Sequence, residues 1–305
     1  MKNYLLICIL GTMLLILTTN CEISWLEIEH YYEASMNSDL IVSNDNIYFT
    51  RCYKFSPKGG IDTYEGFVFY SINLNNNEIT KDTIKVYLGY ETDDLFLSKT
   101  DYGIFISAYG YDNNMQIYRY DFSNKLIEQF DNAGEYGNTC LSFSPDEKEL
   151  CGILNYTGLI YKNNQNENTV YSFSDNEDFD DYEVNWDARE AYYITTLSLN
   201  SVNFENDSIE EILSIGDTIL GSIITDIRNI NIIDSTLLLT INEWDNSLML
   251  KVMIKNDTYL YEFDEKENFY QSRQGLYYKF DYVDRTAATL EIYDENYVLI
   301  NSFSL

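Results

Sequence analysis

Leu141-Ser-Phe-Ser-Pro-Asp-Glu-Lys-Glu-Leu150-Cys-Gly-Ile153, then Gly158-Leu-Ile-Tyr161 and the polar run Asn163 to Asn168, carries the reading of the fold. Its apolar segments are too short for helices and are rich in residues that suit a pleated, half-buried surface. Pro145 presets its own φ for a turn, and Asp146 and the Asn residues bond their own main chain, so each polar break has a physical cause. Two successive β-hairpins follow from this stretch alone.

The second of these hairpins has five counterparts along the chain. An apolar run meets an Asn/Asp-rich break at Phe67 to Leu74 before Asn75 to Asn77, at Gln116 to Phe122 before Ser123-Asn124, and at Thr196 to Phe204 before Glu205 to Asp207. It recurs at Leu248 to Ile254 before Asn256-Asp257 and at Ala288 to Tyr293 before Glu295-Asn296. Upstream of each lies a partner hairpin: Leu40 to Phe49, Leu95 to Ile106, Cys140 to Ile153, Tyr182 to Ile194, Ile230 to Thr240, and Phe269 to Phe280. Two hairpins make four strands per repeat, and a spacing of roughly 40 to 50 residues is that of propeller blades.

The turn Phe143-Ser-Pro-Asp-Glu-Lys-Glu-Leu150 with the strand Leu159-Ile160-Tyr161 resembles the repeat of WD-like and TolB-like β-propellers, whose first turn reads Phe-Ser-Pro-Asp-Gly-Lys. Here Glu147 stands where that family prefers Gly. The resemblance implies an all-β, six-bladed β-propeller with four antiparallel strands per blade. It identifies a fold and almost nothing about chemistry. Only 2 prolines among 305 residues, with 29 Tyr and 16 Phe, agree with an all-β chain. A pair of smaller β-sandwiches is the alternative, and the unbroken repeat phase argues against it. The expected organisation is a signal peptide over 1–20, a tether or edge strand over 21–37, and one propeller domain over 38–305, with Leu299 to Leu305 as the outer strand of the last blade.

Compartment is read from the N-terminus. Met1-Lys2-Asn3 precedes an apolar run from Tyr4 to Leu17, which is short for a membrane span and fits an export signal. Thr18-Thr-Asn-Cys21 resembles the end of a bacterial lipoprotein cleavage box, which implies a lipid on Cys21 and attachment to the cell envelope without a span. An ordinary signal peptide ahead of a chance cysteine is the other reading. Cys52, Cys140 and Cys151 then remain. A two-residue turn at Pro145-Asp146 sets Cys140 opposite Cys151, whereas a three-residue loop sets Cys140 opposite Gly152 and parts the thiols. The family resemblance favours the second arrangement and buried thiols.

Fifty acidic against 19 basic residues give a formal net charge of -31, which repels phosphate backbones and anionic membrane surfaces. Nucleic acid is therefore not an expected partner, and the membrane is reached only through the lipid. Expected partners are an envelope protein, a cationic peptide or a glycan, bound by a monomer. No cofactor and no metal are expected. The acidic run Asp175 to Asp181 lacks the spacing of a calcium loop. A single histidine, His30, rules out a multi-histidine zinc site, and no Gly-x-Ser-x-Gly elbow occurs.

Paired carboxylates leave one catalytic alternative, a glycan-cleaving propeller, which spacing alone cannot assign to particular acids. In a four-stranded blade the first and third turns open on one face of the disc, and the second turn and the link open on the other. The second face carries the longer loops, which mix aromatics with acids. Rigid aromatics bury area at little entropic cost. The candidate ligand-binding residues are thus Tyr111, Asp112, Tyr136, Phe179, Asp181, Trp244, Asp245 and Tyr282.

Overall fold

The computed structural model describes residues 30–36, 38, 40–57, 63–89, 95–109, 115–130, 141–153, 158–172, 179–233, 236–241, 248–255, 258–264, 270–271, 276–284, 287–294 and 298–305. Every regular element among them is a β-strand. The first sheet holds β1 (His30–Met36), β2 (Ile41–Ser43), β3 (Asn46–Ser56), β4 (Thr63–Asn73) and β5 (Ile79–Gly89). A second holds β6 (Phe96–Lys99), β7 (Gly103–Tyr109), β8 (Met115–Asp121) and β9 (Ile127–Phe130). The third comprises β10 (Leu141–Phe143), β11 (Leu150–Ile153), β12 (Gly158–Lys162) and β13 (Asn168–Ser172). In the fourth lie β14 (Phe179–Asn185), β15 (Glu190–Thr195), β16 (Ser198–Asn203) and β17 (Ile209–Ser214). A two-stranded hairpin, β18 (Thr218–Ile219) and β19 (Ser222–Ile223), intervenes. The fifth sheet has β20 (Ile227–Ile233), β21 (Thr236–Ile241), β22 (Leu248–Lys255) and β23 (Thr258–Asp264). The sixth has β24 (Tyr270–Gln271), β25 (Tyr277–Asp284), β26 (Ala287–Tyr293) and β27 (Leu299–Ser304).

Within each four-stranded sheet the strands lie side by side in chain order and run antiparallel. All six sequence-predicted breaks separate the third and fourth strands of a sheet. The cause expected for them is visible in the hydrogen bonds. Asn73 Oδ1 accepts the N–H groups of Asn75 and Asn76, Asp121 Oδ1 those of Ser123 and Asn124, and Asn203 Oδ1 those of Glu205 and Asn206. Four residues beyond each of these three, Asn77, Lys125 and Asp207 take left-handed φ of 58°, 59° and 57°, the angles that close such turns.

From the first to the fifth, consecutive sheets bury their faces against one another. Phe67, Phe69, Ile104 and Tyr120 join the first sheet to the second, and Phe105, Phe143 and Ile160 join the second to the third. Leu159, Tyr161, Tyr182 and Phe204 join the third to the fourth, and Ile194, Leu213, Leu237 and Leu250 the fourth to the fifth. Phe49 and Tyr70 of the first sheet pack with Tyr278, Leu290 and Phe303 of the sixth. As expected, β27 is the last strand of its sheet.

At the N-terminus, β1 is hydrogen-bonded along one half of β3, from His30↔Ser56 to Met36↔Arg51, and β2 occupies the other half. Residues 30–36 are thus an edge strand of the first sheet. Arg51, 3% exposed, fixes β1 from below: its guanidinium donates to the carbonyls of Glu33 and Ala34 and to the Glu33 carboxylate.

The Pro145 turn follows neither of the two spacings weighed from the sequence. Phe143 pairs with Leu150, and Ser144 N–H donates to Glu149 O at 2.9 Å, which leaves a four-residue loop, Pro145 to Lys148. Asp146 Oδ1 accepts from Ser144 Oγ and Lys148 N–H, and Ser144 Oγ accepts Glu149 N–H, so side chains supply the bonds that lengthen the loop. Glu147 adopts φ 60°, the conformation for which the related turn uses Gly. Its carboxylate holds Thr100 Oγ1 at 2.8 Å and Arg119 Nη2 at 3.0 Å on the preceding sheet. Cys140 lies outside the described residues. Cys52 and Cys151 are buried thiols, and burial pushes the Cys151 pKa far above the ordinary thiol value.

Candidate link-face site

The antiparallel order gives the molecule two distinct faces. On the turn face, first and third turns bond each other in three sheets: Leu74 N to Asp45 O, Phe122 N to Tyr102 O, and Phe204 N to Arg189 O, at 2.8–2.9 Å. The link face gathers the second turns and the connections between sheets, and there Ile215 N donates to Leu197 O at 2.8 Å.

Of the candidate ligand-binding residues, Phe179, Asp181 and Tyr282 fall within described strands. Tyr111, Asp112, Tyr136, Trp244 and Asp245 lie outside the described residues, as does Cys21. Phe179 opens β14 opposite Thr195, and Tyr282 pairs with Ala288 near the second turn of its sheet, so their backbones sit at link-face strand ends. Asp181 is described in full. Its Oδ2 accepts Ile230 N–H at 2.9 Å and its Oδ1 accepts Tyr182 N–H at 2.8 Å. Both strands are irregular there, with register shifts between Phe179 and Asp181 and between Arg228 and Ile230. A β-bulge leaves a main-chain donor without a ladder partner, and the Asp181 carboxylate supplies one across the boundary between the fourth and fifth sheets.

Asp181 is therefore a structural joint, whatever else it touches. Asp181→Ala is expected to lower unfolding free energy by about 1–3 kcal/mol, because a buried N–H is left without an acceptor. Asp181→Asn, which keeps one oxygen, should cost less. Urea unfolding curves of the two variants check the order, and equal costs would remove the joint.

Next to that joint the sequence reading missed an apolar group. After β17 the chain makes the hairpin β18–β19 instead of passing straight to β20. Leu197, Ile215, Leu220 and Ile223 are 52%, 39%, 62% and 60% exposed, while Ile224 is fully buried and anchors the hairpin in the core. Gly216 N donates to Ile224 O and Ile224 N to Asp217 O, so the hairpin base is tied. Its tip, Leu220-Gly221, has φ of 49° and 87° and connects Ile219↔Ser222, the pattern of a tight two-residue turn with left-handed angles at both positions. Paired glycines five residues apart in Ile215-Gly-Asp-Thr-Ile-Leu-Gly221 were the available signal.

On the turn face, a shallow cleft of about 410 Å³ is lined by Arg119, Asp121, Asn124, Glu128, Phe130 and Glu147. Arg119 is already paired there with Asp121 at 2.8 Å and Glu147 at 3.0 Å, so its charge is spent within the protein. The carboxylate pKa values of Glu33, Asp121 and Asp146 are lowered. A glycosidase acid needs the opposite shift. No group of three metal-ligating side chains occurs among the described residues.

No protein-family profile matches the chain, and no curated protein matches it. Solved structures do. TolB from Acinetobacter baumannii superposes with a TM-score of 0.50 at 11% identity, over 85% of this chain and 77% of that one. The Cps50 (Swd1) β-propeller domain of Myceliophteria thermophila gives 0.49 at 9% identity, over 90% and 88%. A periplasmic gluconolactonase of Pseudomonas aeruginosa gives 0.47 at 11% identity, over 88% and 85%. The likeness to TolB, with the four-stranded antiparallel sheets, shows a β-propeller fold.

Proposed function

We propose that this chain is an exported, six-bladed propeller, held at the cell envelope by a lipid on Cys21, which binds a partner on its link face and catalyses nothing. The observation that carries the binding reading is the exposure of Leu197, Ile215, Leu220 and Ile223 at the link-side turn of the fourth sheet and on the β18–β19 hairpin. Contiguous exposed apolar surface rimmed by polar residues marks interaction sites. Packing of Phe49 and Tyr70 against the sixth sheet supports a ring closed between first and last blades. A net charge of -31 favours a monomer and a partner that is a basic envelope protein, a cationic peptide or a neutral glycan.

Two measurements test this. The folded, leader-free chain should retain a defined component of an envelope extract, and Trp244→Ala should reduce that retention. Asp112→Asn separates the partner classes: it weakens a cationic ligand in a salt-dependent manner and leaves a glycan unaffected. Equal retention by all variants, with the fold intact, means that the link face is not the site. The lipid is tested by intact mass of membrane-extracted protein, since a Cys21→Ser variant of unchanged modification mass and fraction removes the anchor.

A further inference from the structure

Resting on the link-face reading above, we infer that the β18–β19 hairpin is a docking knob for another protein, one that offers an apolar pocket bordered by lysine or arginine. Among the described residues nine non-glycine positions have left-handed φ, and eight of them are polar; Leu220 alone is apolar. The same chain builds another such two-residue turn, between β2 and β3, from Asn44 and Asp45 at φ 51° and 59°. Asn and Asp suit that conformation, whereas a branched apolar side chain does not. Turn formation therefore gives no reason for Leu220, and burial gives none either, because it is 62% exposed. Ile223 beside it is 60% exposed, and Leu197 and Ile215 extend the apolar surface toward the neighbouring second turn.

Charge selects the occupant. The hairpin and its connections to the fourth and fifth sheets, 215 to 228, carry two acids, Asp217 and Asp226, against one base, Arg228. That base is neutralised by Asp226 at 3.0 Å. An apolar knob in an acidic field is complementary to an apolar pocket with a basic border. A second copy would bring the same acids and a net charge of -31 against itself, and an anionic membrane surface is repelled for the same reason.

The test places a benzophenone side chain at position 223 of the full chain in the cells that make it, with the same group at Val170, another exposed apolar residue, as reference. Irradiation should join position 223 to a segment of another protein that contains apolar residues flanked by Lys or Arg, and high salt should reduce the yield. Leu220→Asn in the 223-labelled chain should lower the yield on the order of tenfold, with a melting temperature unchanged or raised because Asn suits the turn. Adducts to lipid, to another copy of this chain or to an acidic segment overturn the inference, as does a yield no greater than at Val170. A benzophenone at Trp244 that captures a partner when position 223 captures none leaves the binding face standing and removes the knob. Silence at both positions removes both readings.

Discussion

Arg51→Met is expected to lower the unfolding free energy by about 3–5 kcal/mol, the range for deleting one partner of a buried ion pair. The guanidinium is nearly inaccessible and satisfies the Glu33 carboxylate at 3.1 Å, the carbonyls of Glu33 and Ala34, and the Tyr70 hydroxyl at 3.3 Å. It also lies 5.6 Å from the Phe280 ring of the sixth sheet. One cation thus ties the edge strand β1, the first sheet and the last one. Met fills much of the same volume but leaves two carbonyls and a partly buried carboxylate short of donors. Lys81 Nζ, at 2.6 Å from Glu33 Oε1, and the Tyr70 hydroxyl remain, which keeps the loss toward the lower end. Adding Glu33→Gln should restore part of it, since the stranded charge is gone.

The pH dependence has a definite sign. Burial raises the Glu33 pKa, but hydrogen bonds from Lys81 and Tyr70 and the charges of Lys81 and Arg51 outweigh it, and the value ends below the ordinary one of 4.5. A carboxylate depressed in the folded state stabilises the fold above its unfolded pKa, and that contribution fades as pH falls through the folded value. The stability gap between the natural chain and Arg51→Met should accordingly narrow below pH 4.5 without closing, because the carbonyl bonds do not titrate. Urea unfolding followed by intrinsic fluorescence at several pH values measures it. A gap constant with pH would mean that Arg51 acts through packing alone.

Phe105→Ala should be as damaging, about 3–5 kcal/mol, the cost of a large cavity in a packed core. Phe105 is 1% exposed, with its ring stacked on Phe143 at a centroid distance of 3.8 Å and edge-on to Phe130 at 5.3 Å. Arg119 lies over the same ring at 5.8 Å. Around this stack Ser98 and Ser107 of the second sheet accept the N–H groups of Phe143 and Leu141 in the third. Phe105→Leu, which leaves a smaller void, should lose markedly less. Comparable losses for Ala and Leu would show that ring geometry, not volume, holds this boundary.

That boundary explains why one stretch of sequence was so informative. In Phe143-Ser-Pro-Asp-Glu-Lys, the aromatic anchors the preceding sheet, the polar loop bonds its own backbone, and Glu147 reaches back to Thr100 and Arg119. Each residue acts locally or across one sheet boundary, so its role can be read from its type. Hairpin positions were legible for the same reason: Asn73, Asp121 and Asn203 bond main chain only two or three residues away. Strand alternation and turn chemistry have short range, and a linear sequence records them directly.

Other features depended on residues far apart in the chain meeting. The sequence marked Asp181 as a ligand-binding candidate because it ends an acidic loop, but nothing near it foretold a partner at Ile230, 49 positions away. Arg51 carries no mark of burial until β1 returns over β3 and presents Glu33 to it. The loop after Phe143 was misjudged by one residue because side-chain bonds at Ser144 and Asp146, not strand pairing, decide its length. Leu197, Ile215, Leu220 and Ile223 carry no local mark of exposure in a β-rich chain. Only the tertiary structure, by burying Ile224 and turning the hairpin outward, left them on the surface. Local turn chemistry and strand pairing were thus determined by sequence alone, whereas burial and cross-sheet bonding were decided by which sheets the tertiary packing brings together.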